Sequence, residues 1–412
     1  MLKVNDSCRM CGGQNLHKFL DLGEQPLANS FIKKENLLEP EPKFPLEAHW
    51  CENCNLVQLI HVVDPKMMFC DYVYFSSGMP KVSKHWKTYA DYISTRFLNS
   101  QNRFVLEVGS NDGILLSCFK DLGHKVLGVD PALNIATLAN QRGIPTLPVF
   151  FGKDVAEEIS DEYGEPKVIL ANNVFAHIND HNNFMLGVNI LLGESGVLVI
   201  EAPYLLDMFE NLAYDTIYHE HLSFLAIRPM QKFFERFGFE IFDVHLVKSQ
   251  GISLRMFVGR KGHGITQKVA ELVQKELNFG LDKKEGYLEL AKRVRVSKHK
   301  LLFTLCRLHG EKKRIAAYGA PAKGNTLLNY CGIDTDILDF ALEDLQSKIW
   351  LHTPGMHIPV VSRDYANANP PDYYLLLAWN YKDAILEKEK NSEFRNRGGK
   401  FIVPIGDDIK II

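Results

Sequence analysis

Three clusters in this 412-residue chain hold side chains that could do chemistry. The stretch YDTIYHEHLSFL, Tyr214 to Leu225, crowds two histidines, a glutamate and two tyrosines among apolar residues. Such a segment reads as a metal site, an acid/base site or a polar patch on an ordinary loop. Near the N-terminus, Cys8 and Cys11 in CRMC and Cys51 and Cys54 in CENC form two pairs. Two such knuckles read as a tetrahedral thiolate site, four sulfurs on one Zn(II) at ~2.3 Å, rather than as disulfides. Four protein ligands close the shell and leave no position for a reacting group, so this zinc is expected to be structural. Cys70, Cys118, Cys306 and Cys331 are scattered and read as small buried apolar residues.

A third cluster is VLEVGSNDG, Val105 to Gly113. An apolar run delivers Glu107 and Gly109 to the end of a strand, where ligands of open α/β sheets bind. Glycine there lets the backbone approach a ligand closely. The next strand, KVLGVDP, ends at Asp130, which can accept from both hydroxyls of a ribose. Dinucleotide folds and S-adenosylmethionine (SAM) folds share that pairing. The turn Gly109, Ser110, Asn111, Asp112, Gly113 is not G-x-G-x-x-G, and Asp112 would repel a pyrophosphate, so SAM is favoured. Asn172 and Asn173, closing a third strand in KVILANNVFAHI, are placed to bond a nucleoside or a methionine moiety.

These clusters need elements to position them. Residues 1–75 hold the knuckles and short, turn-broken segments, a zinc-dependent module with too little core to fold unaided. Residues 76–264 alternate apolar strands with helical patterns, which implies a parallel sheet covered by helices. FGFEIFDVHLVKSQGISLRMFVGR adds two strands that suit a terminal antiparallel pair. Residues 265–412 begin with charged, amphipathic, proline-free helices. A second strand, glycine-rich turn and helix follows in RIAAYGAPAKGNTLLNY. There the backbone from Gly319 to Gly324 precedes a helix start that attracts anions, with Lys323 adding charge, so a nucleotide diphosphate would fit.

Apolar residues make up 46% and charged residues 24%, as in a soluble globular protein, and the net charge of −3 gives no reason to expect nucleic acid or anionic membrane. No signal peptide is visible, and no apolar run reaches the ~20 residues of a membrane helix, so a cytoplasmic enzyme is expected.

Taken in order, the knuckles, LDLGEQPLANSF, LEVGSNDGILL, HEHLSF, YGAPAKGNTLLNYCGI and LLAWNY resemble the zinc-containing SAM-dependent sugar C-methyltransferases over nearly the whole chain. The resemblance implies an α/β protein of three parts: an N-terminal zinc module, a central class I SAM methyltransferase fold, and a C-terminal Rossmann-like unit that helps hold a nucleotide-linked keto-deoxysugar. A carbon beside the sugar's ketone would lose a proton, and the enolate would attack the SAM methyl carbon. A neutral histidine suits the base, and a tyrosine or histidine the enolate oxygen. HEH lacks the H-E-x-x-H spacing of a helical zinc site, so residues 218–221 read as an acid/base cluster. By resemblance His221 is the general base, with Tyr218 and Glu220 beside it. His177 falls on the family's other histidine position, and Tyr72 and Tyr74 match a segment that gives the substrate a tyrosine. His219 alternates away from His221. In the C-terminal part, Asn325 in the glycine turn, and Glu343, Lys348 and His357 in EDLQSKIWLHTPGMHIPV, are implied as sugar-nucleotide contacts.

One departure stands out. Where the family pattern reads His-Gly-Gly-Ser, this chain has Gln250, Gly251 and Ile252 before Ser253. That bears on the sugar or the methylated atom, and O- or N-methylation is the alternative reading. A nicotinamide oxidoreductase and a nucleic-acid-binding zinc ribbon are further readings; residues 1–60 mix acids and bases instead of forming a basic stripe.

Overall fold

The computed structural model of the chain describes residues 2–69, 82–248 and 251–412. Tyr72, Tyr74, Cys70 and Gln250 lie outside them. No helix among the described residues is long and apolar enough to cross a membrane.

The central part is a seven-stranded sheet with Phe104–Val108 in the middle. Lys125–Val129 and Thr146–Leu147 follow on one side, both parallel to it. On the other side lie Val168–Asn172 and Val197–Pro203, again parallel. Ile252–Arg260 and then Phe239–Lys248 close that edge as an antiparallel pair. Both faces of the parallel strands are covered, so FVLEV and VILAN read as unbroken buried runs. Chain order reverses between Phe104–Val108 and Val168–Asn172, and that reversal opens the crevice beyond their carboxyl ends.

The C-terminal part repeats the plan. Ile315–Tyr318 lies between Ala341–Leu342 and Tyr373–Leu376, all parallel. Val360–Val361 and Lys400–Val403 extend the two sides, and Lys410–Ile411 adds an antiparallel edge. The two units share one local solution. Gly109 donates to the carbonyl of Val129 (2.7 Å), and Asp130, next in the chain, accepts from Asn111 (2.9 Å). Gly319 donates to Leu342 (2.8 Å), and Glu343, next in the chain, accepts from Ala320 (3.0 Å). Both glycines have positive φ, +67° and +82°. At Gly109 a Cβ would also fall 2.8 Å from a methyl of Val174, so the position excludes a side chain twice over.

The N-terminal module is an antiparallel sheet of Leu16–Pro26, Lys43–Cys51 and Val57–Leu59. Its fourth strand comes from the central unit: Ser223–Phe224, just after the Tyr-His-Glu-His segment, pairs with Gln58 and Val57. A second stitch joins the module to the C-terminal unit, where Leu351–His352 pairs with Ile32–Lys33. One continuous apolar core runs through all three parts. Two further apolar clusters are confined to the central and C-terminal units, so the three parts are joined by this shared core and the outer parts of two of them pack on their own.

Tyr287, on the long helix Lys284–Gly310, shows how that core is joined. Its ring stacks on Trp50 (5.4 Å) and meets Phe19 (5.0 Å) of the zinc module and Phe209 (5.3 Å) of the central unit. Its hydroxyl donates to the carbonyl of Leu281 (2.8 Å). Tyr287→Phe, which removes only that bond, is expected to lower stability by about 1 kcal/mol. Tyr287→Ala is expected to cost about 3–5 kcal/mol, read as a lower urea midpoint.

Candidate active site at the junction of three parts

The crevice at the central sheet's reversal collects the cofactor candidates. Glu107 and Asn172 end adjacent parallel strands, and the Asn172 amide donates to Glu107 Oε1 (3.3 Å). The hydroxyl of Tyr89, on the helix Val82–Phe97, donates to Asn172 Oδ1 (2.9 Å). Burial pushes the Glu107 carboxyl up to about 8. Its Oε2, the hydroxyl of Ser110 and Oδ1 of Asn173 are buried with no hydrogen-bond partner among the described residues. Unpartnered buried polar atoms at a crevice are what a polar ligand would satisfy. Gly109, Asn111, Gly113 and Asn173 have φ between +49° and +77°, which turns the backbone tightly around this edge. The oxygens of Asp130 accept from Asn111 and Ala132, and burial raises its pKa. This donor and acceptor set fits the ammonium and ribose of SAM. Asp112 differs from expectation. Its carboxylate pairs with Arg142 (3.0 Å), so the repulsion of a pyrophosphate argued from its charge is offset locally.

The Tyr-His-Glu-His segment lies beside this crevice. The ring of His221 is 5.0 Å from that of His177, which follows the Asn172–Asn173 turn, and 4.1 Å from that of Tyr218. His221 Nδ1 is 2.7 Å from the carbonyl of Thr216. A carbonyl only accepts, so the proton sits on Nδ1 and the lone pair on Nε2. Burial lowers the pKa of His221 to about 4 and of His177 to about 3; the nearby His221 also depresses His177. Both rings are neutral near pH 7. His219 points elsewhere, with Nε2 3.2 Å from the carbonyl of Phe44 in the zinc module. Glu220 accepts from Asn29 (2.6 Å).

Glu220 also lines a cavity of about 250 Å³ where the three parts meet, with Leu27, Asn29, Ser30 and Phe31 of the zinc module and Lys348 of the C-terminal unit. Lys348 donates to the carbonyl of Ala320 (2.9 Å) and lies 4.6 Å from the centre of the Phe31 ring. Burial lowers its pKa. The other C-terminal candidates face different partners. Asn325 donates to the carbonyl of Ala28 (2.7 Å), bracing the loop that lines the cavity. Glu343 accepts from the amides of Ala320, Asp344 and Leu345. His357 meets Glu41 of the zinc module (3.0 Å). Lys323 donates to Asn380 and covers the ring of Trp379 at 4.3 Å, and burial lowers it to about 8. In the glycine turn, Gly319 and Ala320 donate to Leu342 and Glu343, and Gly324 and Asn325 to the carbonyl of Pro321.

At the knuckles, the four sulfurs of Cys8, Cys11, Cys51 and Cys54 lie within 4.8 Å of one another. Cys8–Cys54 and Cys11–Cys51 are each 3.6 Å apart. Sulfurs at ~2.3 Å from one tetrahedral zinc would be about 3.8 Å apart, whereas a disulfide needs about 2.05 Å. The set fits zinc. Arg9, inside the first knuckle, carries the module's grip onward. Its guanidinium donates to the carbonyls of Leu59 (2.7 Å) and Leu222, the residue after His221.

Several residues near the site were not among the sequence candidates. Asn29 lies in the stretch LDLGEQPLANSF, where nothing marked it as a site residue. Arg255 pairs with buried Glu201 (2.6 Å) and lies over the Tyr89 ring at 3.6 Å. Asp215 accepts from Trp379 (2.7 Å). A signal existed for Asp215, since it lies within the polar stretch that drew notice first.

Comparison with known proteins matches three successive stretches of the chain. Residues 8–69 match the family model described as "Putative zinc binding domain", 83–244 a methyltransferase domain, and 248–406 a C-methyltransferase C-terminal domain. The chain is 36% identical over 405 residues to C-methyltransferase NovU of Streptomyces niveus, covering 97% of this chain and 95% of that protein. A ubiquinone biosynthesis O-methyltransferase of Rhodopseudomonas palustris (strain HaA2) is 31% identical over 97 residues, 23% of this chain and 38% of that protein. Among solved structures, magnesium protoporphyrin IX methyltransferase from Synechocystis PCC 6803 with bound SAH aligns at 14% identity and a TM-score of 0.34, over 43% of this chain and 83% of that one.

Two outcomes are expected. Cys51→Ser should drop zinc content, measured by atomic emission, from about one per chain toward none, and lower the melting temperature. The second concerns pH. His181, buried against Phe175 and held to its carbonyl (2.9 Å), is lowered to about 3 by burial. Its ordinary pKa is about 6.5, so the unfolded chain takes up the proton first. The stability this group supplies is full above pH 6.5 and is lost as pH falls toward 3. Urea midpoints should therefore fall less between pH 7 and 5 in His181→Gln than in the parent.

Proposed function

This chain belongs to the zinc-containing C-methyltransferase family, and from that premise we propose that it methylates the carbon beside the ketone of a nucleotide-linked 4-keto-deoxysugar. It is a SAM-dependent methyltransferase with a zinc-binding module. The observation that carries the finer reading is the state of His221. Its Nδ1 faces the Thr216 carbonyl, its Nε2 keeps the lone pair, and burial holds it unprotonated at neutral pH.

Bound SAM supplies an electrophilic methyl group to a carbanion placed beside it. The work of the chain is to make that carbanion. His221 Nε2 takes the proton from the carbon next to the ketone. The low pKa leaves all of the imidazole in its accepting form near pH 7. In this reading His177 and Tyr218, whose rings lie 5.0 and 4.1 Å from that of His221, donate to the oxygen that gains charge. Glu107, Ser110 and Asn173 would hold the cofactor through atoms that lack partners among the described residues, and Asp130 would accept from the ribose hydroxyls.

The substrate class is supported by the junction cavity. Lys348 is a poorly solvated cation at its wall, suited to a phosphate oxygen, and Glu220 and Asn29 offer an acceptor and a donor to sugar hydroxyls. Tyr72 and Tyr74, outside the described residues, remain proposed substrate contacts, as do Lys323, Asn325, Glu343 and His357.

The test uses the purified protein with SAM and a panel of nucleotide-linked 4-keto-6-deoxysugars. The expected product gains one carbon-bound methyl by mass and NMR. Without SAM, the α-proton should exchange with deuterated water, and His221→Ala should slow that exchange by roughly 10²–10⁴. A methyl on oxygen or nitrogen would remove the carbanion step. No methylation of any sugar would overturn the substrate class.

A further inference from the structure

The C-terminal unit touches the proposed base indirectly. Asp215 and Thr216 belong to a short turn, Tyr214–Thr216, that packs on the helix Ala322–Cys331. Asp215 is 1% exposed, and its Oδ2 accepts from the indole N–H of Trp379 (2.7 Å). Trp379 follows the strand Tyr373–Leu376, at the carboxyl edge of the C-terminal sheet. Its ring is covered by Lys323 at 4.3 Å, and Lys323 is tied to Asn380. The next residue after Asp215 is Thr216, whose carbonyl faces His221 Nδ1 at 2.7 Å. Thr216 is pinned too, its hydroxyl donating to the carbonyl of Ala213 (2.6 Å).

We propose that Trp379 and Asp215 are positioning residues for the base: the indole N–H clamps the Asp215 carboxylate, the clamp fixes the Thr216 carbonyl, and that carbonyl holds the proton of His221 on Nδ1. Without the clamp, the turn keeps the bonds of Thr216 to Ala213 but loses its tie to the C-terminal unit, so the Thr216 carbonyl is aimed less firmly and the proton can move to Nε2, the nitrogen that must accept. A neutral imidazole with its proton on Nε2 faces the substrate with a donor where an acceptor is needed. Among the described residues, the rings that lie near His221 are those of His177, Tyr218 and Phe224, and its Nδ1 is bonded to the Thr216 carbonyl.

The kinetic consequence rests on His221 being the base, but the tautomer can be read without any substrate. Uniformly ¹⁵N-histidine-labelled full-length protein is examined at pH 7, with His221 assigned by loss of its signals in His221→Gln. The parent should show a protonated Nδ1 and a lone-pair Nε2. Trp379→Phe and Asp215→Leu should show a mixture of the two neutral tautomers, while Asp215→Asn, which keeps an acceptor oxygen, should restore the parent pattern. SAM affinity should be unchanged in all of them, and kcat for methylation should fall by about tenfold or more in the first two, part of what acid/base catalysis supplies. Should Trp379→Phe not fold, benzothienylalanine at 379 replaces the N–H by sulfur with nearly the same shape. A single parent tautomer in both the Trp379 and Asp215→Leu variants would overturn the proposal. Altered tautomers with no methylation of any sugar by the parent would leave the clamp standing and remove only the proposed function.

Discussion

Everything at the site depends on one short piece of backbone pairing. Ser223 and Phe224 complete the sheet of the zinc module, and Arg9 in the first knuckle grips the carbonyl of Leu222. These contacts begin one residue after His221. A two-residue strand has little stability of its own, because ladder bonds and cross-strand packing are its sources of support. Here the support comes from a module whose own core is small and whose knuckles fit a metal. Zinc chemistry thus enters the site as rigidity. It holds the far side of the loop that carries the proposed base, and it leaves no coordination position open to a reacting group.

The loop Leu27–Phe31 does the complementary job. Asn29 bonds Glu220 of the central unit, Ala28 is braced by Asn325 of the C-terminal unit, and Phe31 lies under Lys348. Each part of the chain thus supplies one wall of the same cavity. Electrostatics follow from this enclosure. Histidines at the junction stay neutral, Glu107 keeps its proton more readily than an exposed glutamate, and Lys348 holds its charge less readily. All three shifts share one cause, the removal of water by burial, within the central unit for Glu107 and at the meeting of the parts for Lys348.

Much of this architecture was legible in the sequence because parallel strands covered on both faces leave long apolar runs, and because ligands sit at their carboxyl ends. Glu107, Gly109, Asp130 and Asn172 could be placed on that basis alone. The cysteine pairs were legible because thiolates in that spacing have few other uses. What could not be read is which partner a polar residue takes. Asp112 as a free carboxylate and Asp112 paired with Arg142 have the same letters. For Asn325, Glu343 and His357, the letters do not announce that the first braces Ala28, the second accepts from backbone amides of a turn, and the third meets Glu41. The strand Ser223–Phe224 was invisible for a related reason. Two residues carry no periodicity, and their partners lie far back in the chain.

That distance has a consequence for how the molecule is made. Arg9 and Leu222 are 213 residues apart, and Asn325 and Ala28 are 297 apart. On a ribosome the first module emerges with the edge of Val57–Leu59 unpaired until the centre of the chain follows, and with its cavity-lining loop unbraced until the third unit appears. Long-range closure of this kind is slow, and an open strand edge invites pairing with other chains. Early capture of a metal by the four cysteines would keep the nascent module compact through that interval, so metal supply during synthesis should govern how much of the protein reaches its native state.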